Sequence, residues 1–454
     1  MTIDIVILAA GQGTRMKSLL PKVLHPLAGK PLPQHVINMA ETIPDSNITI
    51  VSGYASEQIQ NSIVGKDLKY VYQAEQLGTA NAVQTAAPNL DSNGITLVLY
   101  GDVPLISSKT VLSTLKVVNN NTMGLLTVVL EEPEGYGRIV RNREGDICGI
   151  IEQKDATPQE QEIQEVNTGV IAIRTNLLQK WLPQIGNDNA QNEYYLTDLI
   201  SIADKAGIKI EAVNPGTPEE VKGVNTRKQL SKLERFYQQK QADRLMVNGA
   251  TLADPSRVDI RGTVFCDVDT FIDVNTVFEG EVKLGKNVSV GPNCHITESS
   301  IGDNVKIKAN TIIENSTICN GVEVGPFARV RPGTLLSDNS KIGNFVEVKN
   351  TEVGKGSKIS HLSYVGDSQL GKDVNFGAGT ITCNYDGVSK NKTIIGDDSF
   401  IGSNASLVAP VTIGKNATIG AGSTITKDIP DNELSVSRSP QLNKSGWVRP
   451  KKKK

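Results

Sequence analysis

The first half of the chain alternates short apolar runs with amphipathic stretches. Asp4–Ala9, Asn47–Ser52, Ile95–Tyr100, Leu125–Leu130 and Thr168–Ile173 read as strands, with Gln34–Thr42 and Thr79–Ala86 as helices between them. Such alternation predicts a mostly parallel α/β sheet whose ligands bind at the carboxyl ends of its strands. Thr226–Met246 lacks Gly and Pro and carries Leu230, Leu233, Phe236 and Tyr237 at spacings of three and four. It is predicted as one helix joining two halves. From Ile260 the period becomes six: Ile260, Cys266, Ile272, Phe278, Leu284, Val290, Ile296. After one-residue slips the series resumes at Ile301, Ile318, Val353 and Leu370, and after a loop at Ile395. Many hexads read aliphatic-Gly-x-x-small-x, as in Ile413-Gly-Lys-Asn-Ala-Thr. A period of six fits no helix and predicts a parallel β-helix, in which one aliphatic residue per hexad fills a shared interior. Segment 382–394 breaks the pattern, and insertions in repeat arrays are loops, commonly on the binding face. The expected division is a domain over 1–225, a helical linker over 226–250 and a β-helix with a C-terminal tail over 251–454.

Composition narrows the picture. The 454 residues carry a formal net charge of -2, so no global basic field points to nucleic acid. Aromatics are 4% of the chain while Gly numbers 41, which suits small-residue repeats. Cys148, Cys266, Cys294, Cys319 and Cys383 are scattered and form no C-x-x-C pair. A disulfide framework or thiolate metal site is therefore not expected, and a reducing compartment is. Met1–Ala10 lacks a basic n-region and reads as a first strand, not a signal peptide. No apolar run approaches the ~20 residues a membrane span needs. The Lys451–Lys454 run reads as a solvated charged tail.

Two strand ends carry the chemistry of the first half. Leu8-Ala-Ala-Gly-Gln-Gly-Thr-Arg-Met16 follows the first strand, with Pro21-Lys22 close behind. Glycines let backbone N–H groups approach phosphates, and Arg15 and Lys22 add cations. No Gly-Lys-[Ser/Thr] follows, so this is not a Walker loop, and the third glycine of a dinucleotide fingerprint is missing. On glycines alone, a purely structural turn stays open. The strand Ile95–Tyr100 ends at Gly101-Asp102. Asp102 can serve as a turn former or hold Mg²⁺, which needs only one or two protein ligands when phosphates supply the rest.

The glycine string with Arg15 and Pro21-Lys22, together with Tyr100-Gly-Asp-Val-Pro104, resembles the sugar-phosphate nucleotidyltransferase signature. The hexads resemble the left-handed β-helix of the hexapeptide-repeat acyltransferases. The whole chain, in both halves and in motif order, resembles the bifunctional N-acetylglucosamine-1-phosphate uridyltransferase/glucosamine-1-phosphate acetyltransferases. The implied fold is a Rossmann-like α/β nucleotidyltransferase domain with a mostly parallel sheet, followed by a left-handed parallel β-helix. By this resemblance Leu8, Ala9, Ala10, Gly11 and Lys22 would line the UTP site, with Tyr100 and Gly101 beside them. Gln73, Gly78 and Thr79 would read the uracil. Gly137 would approach the sugar, and Glu152 and Asn167 would hold its hydroxyls. Asn225 would join Asp102 on Mg²⁺. Arg15 and Lys22 would neutralise charge as UTP reacts with the sugar phosphate and pyrophosphate leaves.

In the second half His361, in Ile-Ser-His-Leu-Ser-Tyr-Val-Gly-Asp, matches the position of the acetyltransferase general base. Histidine is the side-chain type suited to take a proton from an amine near neutral pH. His25, His35 and His295 match no catalytic motif. Arg331, Lys349, Tyr364 and Asn375 would bind glucosamine-1-phosphate. Asn384, Tyr385, Ala378, Ser403, Ala421 and Arg438 would contact acetyl-CoA, Arg438 reaching a coenzyme phosphate on a neighbouring subunit, and Glu347 would orient His361. The resemblance also implies Mg²⁺ as cofactor, UTP and acetyl-CoA as co-substrates, a homotrimer through the β-helix, no membrane insertion and a cytoplasmic location. Two other readings remain: a nucleotidyltransferase whose β-helix only oligomerises or regulates, and a β-helical scaffold with a degenerate first domain.

Overall fold

The computed structural model describes residues 1–450 and 452; the Lys451–Lys454 tail otherwise lies outside the described residues. The chain divides into two units, Met1–Tyr237 and Gln238–Lys454.

The first unit is built on a sheet whose strands run in the order Lys209–Val213, Thr122–Val129, Glu165–Arg174, Ile95–Tyr100, Ile3–Leu8, Ser46–Ser52 and Lys69–Tyr72. Glu165–Arg174 is antiparallel to both neighbours, and the other pairings along this path are parallel. A hairpin, Arg138–Arg141 with Ile147–Ile151, attaches beside Glu165–Arg174. Both faces are covered, and the first strand shows why its apolar run is continuous. Ile5 and Ile7 pack into one hydrophobic cluster while Val6 and Leu8 pack into the other.

The predicted helix exists as Arg227–Val247. It joins the two units, and its two halves pack into separate cores. Leu230, Leu233 and Tyr237 join Met16, Leu27, Leu32 and Val224. Ala242 and Leu245 join the β-helix core. Gln238 donates to Ile260 O at 2.9 Å and accepts from Ile260 N at 2.7 Å. One amide thus satisfies both backbone groups of a residue in the first coil.

The second unit is the parallel β-helix expected from the hexads. Strands of successive coils pair in parallel ladders, and equivalent residues lie 17 or 18 apart, as in the Asn287–Asn304 and Asn275–Asn293 side-chain bonds. Thr276–Leu284 spans a corner, pairing with His295–Thr297 on one face and Ser300–Ile301 on the next. The apolar residue that opens each hexad points inward: Phe278, Ile296, Ile313, Val330, Val348 and Val365 are all buried and stacked in register. Corners need a left-handed backbone, which Asn, Asp and Gly tolerate best. Asn275, Asn287, Asn304, Asn339, Asn404 and Asn416 all adopt it. That requirement explains the polar and small positions between the aliphatics.

Candidate functional sites

In the first unit the glycine string leaves the sheet at the carboxyl end of Ile3–Leu8. Ala9 N donates to Val51 O at 2.8 Å, and Gly101 N donates to Leu8 O at 2.9 Å, holding the two loops together. Gly13 has φ +66°, and a Cβ there would lie 2.2 Å from Lys22 Cβ. The turn therefore folds back tightly onto Lys22. The Lys22 ammonium contacts Asp102 Oδ2 and donates to Asn225 Oδ1 at 3.1 Å. Arg15 Nη2 donates to the same Asn225 oxygen at 3.0 Å. Val224 N donates to Asp102 O at 2.9 Å, tying the Asn225 loop to the Asp102 turn. Four residues far apart in sequence thus converge, and a carboxylate and an amide oxygen share one cationic centre. That pair of hard oxygen donors fits Mg²⁺, with phosphate oxygens completing its shell.

The remaining residues expected in this site surround the same strand ends. Gln73 is buried and donates to Asn81 Oδ1 at 2.7 Å and Gly78 O at 3.3 Å. Gly78 has φ +117°, and a Cβ there would lie 2.5 Å from Tyr194 O, so no side chain fits. Thr79 Oγ1 accepts from Leu196 N at 3.0 Å and is hydrogen-bonded to the Tyr100 hydroxyl. Burial raises the Tyr100 phenol well above its usual range, so it stays protonated. A Cβ on Gly137 would lie 3.4 Å from the Glu152 carboxylate, and Asn167 N donates to Gly137 O at 2.8 Å. Burial also raises the Glu152 carboxyl, against a lowering hydrogen bond from Thr197, 3.2 Å away. Asn81, Tyr194, Thr197 and Gly169, whose missing Cβ makes room for the Tyr100 ring, escaped the sequence reading. Only the fold brings them to the site.

In the β-helix, register does the assembling. Asn344 pairs with His361, and the stacking Ile359–Phe376–Ile401–Ile419 places Ala378, Ser403 and Ala421 in the same corner column two residues on. His361 and three residues expected to contact acetyl-CoA therefore form one line up successive coils. Arg438 Nη1 donates to Ala421 O at 2.6 Å, at the end of that line. The exposed His361 ring bonds Asn344 Oδ1 through Nδ1. An amide oxygen only accepts, so Nδ1 carries the proton and Nε2 of the neutral ring is left with its lone pair.

Arg331, Lys349 and Gly366 form a second column. Glu347, expected to orient His361, instead pairs with Arg331 at 2.7 Å. The physical reason is position: Glu347 stands on a strand in line with Tyr364, whereas His361 turns a corner in line with Asn344. The side-chain ends of Tyr364 and Asn384 both face Gly366, where an added Cβ would lie 2.5 Å from the Tyr364 hydroxyl and 2.9 Å from Asn384 Nδ2. Asp367 orients Asn384 through its carboxylate and accepts from Asn350 at 2.6 Å. The insertion turns back as a short hairpin, with Tyr385 opposite Lys390. It brings the Lys390 ammonium to Lys349, which pushes Lys390 below its usual range. Two ammonium groups this close attract an anion. Asn375 is exposed one column over, aligned with Lys358 and Phe400. His35 packs edge-on against Tyr237, and His295 bonds Glu279 at 3.1 Å.

These features define a class: a nucleotidyltransferase domain joined to a hexapeptide-repeat transferase. Residues 5–151 match the MobA-like NTP transferase domain family, 260–353 the GMPPB C-terminal domain and 392–427 the bacterial transferase hexapeptide repeats. The chain is 54% identical over 450 residues to the bifunctional protein GlmU of Marinobacter nauticus, covering 99% of both chains. It is 53% identical over 454 residues to that of Idiomarina loihiensis, covering 100% of both. It is 52% identical over 451 residues to that of Cellvibrio japonicus, covering 99% of this chain and 100% of the relative. The chain belongs to the bifunctional GlmU family of N-acetylglucosamine-1-phosphate uridyltransferases/glucosamine-1-phosphate acetyltransferases. The left-handed β-helix and the nucleotidyltransferase sheet are the fold of that class.

Proposed function

We propose that the chain makes UDP-N-acetylglucosamine in two steps, one in each unit. The β-helix transfers acetyl from acetyl-CoA to the amine of glucosamine-1-phosphate. His361 Nε2 takes the amine proton as nitrogen attacks the thioester carbonyl, and the CoA sulfur leaves with the C–S bonding pair. Arg331, Lys349, Tyr364 and Asn375 hold the sugar phosphate, and Lys390 adds a cation beside Lys349. Asn384, Tyr385, Ala378, Ser403, Ala421 and Arg438 hold acetyl-CoA. In the first unit a phosphate oxygen of N-acetylglucosamine-1-phosphate attacks the α-phosphorus of UTP, and the bond to the departing pyrophosphate breaks. Leu8, Ala9, Ala10 and Gly11 border the phosphates, and Arg15 and Lys22 neutralise charge by position rather than covalent chemistry. Asp102 and Asn225 would hold Mg²⁺, which supplies further charge neutralisation. Gln73, Gly78 and Thr79 read the base, with Tyr100 and Gly101 packed beside them. Gly137, Glu152 and Asn167 receive the sugar.

The observation that carries this reading is the co-location of His361, its free Nε2, and the column Ala378–Ser403–Ala421. A β-helix that only oligomerised would need none of these. Assembly as a homotrimer is supported by exposed apolar side chains beside His361: Phe327 and Phe345 stack at 5.2 Å, with Leu362 in the next coil. No helix among the described residues is long and apolar enough to cross a membrane, and the unpaired cysteines agree with a reducing cytoplasm. The test is product analysis with acetyl-CoA, UTP, Mg²⁺ and glucosamine-1-phosphate. His361→Ala should cut CoA release by about 10²–10⁴-fold and spare uridyl transfer from N-acetylglucosamine-1-phosphate. Asp102→Ala should do the reverse. CoA release that survives His361→Ala in a folded protein overturns the base assignment.

A further inference from the structure

Arg138 is 2% exposed, and among the described residues its guanidinium pairs with no carboxylate. Burial pushes its pKa below the usual guanidinium value. Its partners are all neutral. Nη1 donates to Tyr136 O, Nη2 donates to Gln153 Oε1 at 2.8 Å, and Nε and Nη2 both reach Gln161 O at 3.4 Å. Gln153 Oε1 also accepts from Gly135 N at 3.2 Å. A single side chain therefore ties together the 135–137 turn, the segment after Ile147–Ile151, and Gln161 at the end of a short helix.

These segments matter because of what stands next to them. Gly137 immediately precedes Arg138, Glu152 immediately precedes Gln153, and Asn167 is bonded through its backbone to Gly137. Every residue assigned above to the sugar is thus a neighbour of, or bonded to, a segment that Arg138 holds. Burying a charge among neutral acceptors is costly, and an apolar side chain would fill the space at lower cost. What an apolar side chain would lack is a planar fork of donors that fixes three backbone segments at once. We infer that Arg138 is a positioning residue for the sugar-phosphate half of uridyl transfer, holding Gly137, Glu152 and Asn167 in place before the sugar arrives. The inference rests on the assignment of those three residues to the sugar.

The test uses the full chain and steady-state uridyl transfer with each substrate varied in turn. Arg138→Lys and Arg138→Met should raise KM for N-acetylglucosamine-1-phosphate roughly tenfold or more. KM for UTP and acetyl transfer by the β-helix should stay within about twofold of the parent. Gln153→Ala, which removes one anchor without burying an unpaired charge, should shift the same constant in the same direction. An equal rise in KM for both substrates, or loss of activity that only follows thermal unfolding, overturns the inference. If both Arg138 variants misfold, Gln153→Ala decides: a rise confined to the sugar phosphate supports the role, and no change rejects it. Glu152→Gln and Asn167→Ala are run in parallel. If these leave the sugar KM unchanged, the assignment of the sugar site fails. If they raise it while the Arg138 and Gln153 variants do not, only the positioning role fails.

Discussion

Replacing Gly13 by Ala probes the placement of Lys22 without removing any charged group. The backbone there has φ +66°, where an L side chain costs roughly 1 kcal/mol or more. The steric term is larger. The new Cβ would sit 2.2 Å from Lys22 Cβ, 3.0 Å from Cγ and 3.1 Å from Cδ. Carbon atoms in contact rest at about 3.5–4.0 Å, so Lys22 must retreat by more than about 1 Å. The stem is met at its root, so rotation about the outer torsions cannot relieve the clash. The ammonium then loses its common contact with Asp102 and Asn225. A displacement of about 1 Å at a positioned group can cost on the order of 10²-fold in rate. Gly13→Ala should therefore lower kcat for UDP-sugar formation by roughly that factor, with CoA release unchanged. Gly11→Ala is the informative contrast. A Cβ there meets nothing within 4 Å in the protein, so stability should hold while KM for UTP rises. Uridyl transfer by Gly13→Ala at the parent rate, in a protein that melts normally, would refute the tight-turn argument.

Two further outcomes can be checked. Burial raises the Glu152 carboxyl above its ordinary value, so the native state takes up a proton before the unfolded chain does as pH falls. The stability this contributes is complete below the ordinary carboxylate value and is lost as pH rises through the raised one; melting curves against pH should show that slope flattened in Glu152→Gln, and parallel slopes reject it. Phe345 has φ +56° and is exposed, so Phe345→Asn relieves local strain of about 1 kcal/mol. It should also weaken assembly and acetyl transfer; sedimentation and CoA release both matching the parent would show that the apolar column covers no interface.

The β-helix was legible because a period of six has one structural solution, and every predicted aliphatic from Phe278 to Val365 is inside. The helix and its place between two halves were legible from Leu230, Leu233 and Tyr237, yet its sharing between two cores was not. A spacing of three and four reports one buried face and cannot say that Ala242 and Leu245 belong to another core. The separate pieces of the first site were readable from motifs. Their convergence was not, since the Lys22–Asp102 pair spans 80 residues and the Arg15–Asn225 bond 210. Sheet order alone closes such distances. Asn344 was missed for a related reason: it lies 17 residues before His361, an interval that means contact only once the coil length is known.

The two units therefore build their sites by different rules, with different sensitivities to change. The sheet site gathers loops from distant strands, so each group proposed to act there depends on its own turn, as Lys22 depends on Gly13. The β-helix site is written along the chain at the coil interval. Its residues stay aligned only while the interval holds, because a slip of one residue turns an outward side chain toward the core. The insertion respects that rule: Lys372 N still caps onto Asp397 across an interval of 25, so the extra residues bulge out and the ladder resumes in register. Where the site is built, the corners break their own preference. Phe327, Phe345 and Leu362 hold left-handed conformations that Asn or Gly takes at the equivalent Gly379 and Asn404. Bulky residues stand there at a local cost in three successive coils, beside Asn344 and His361, which is the strain expected of the proposed subunit-facing surface rather than of the fold.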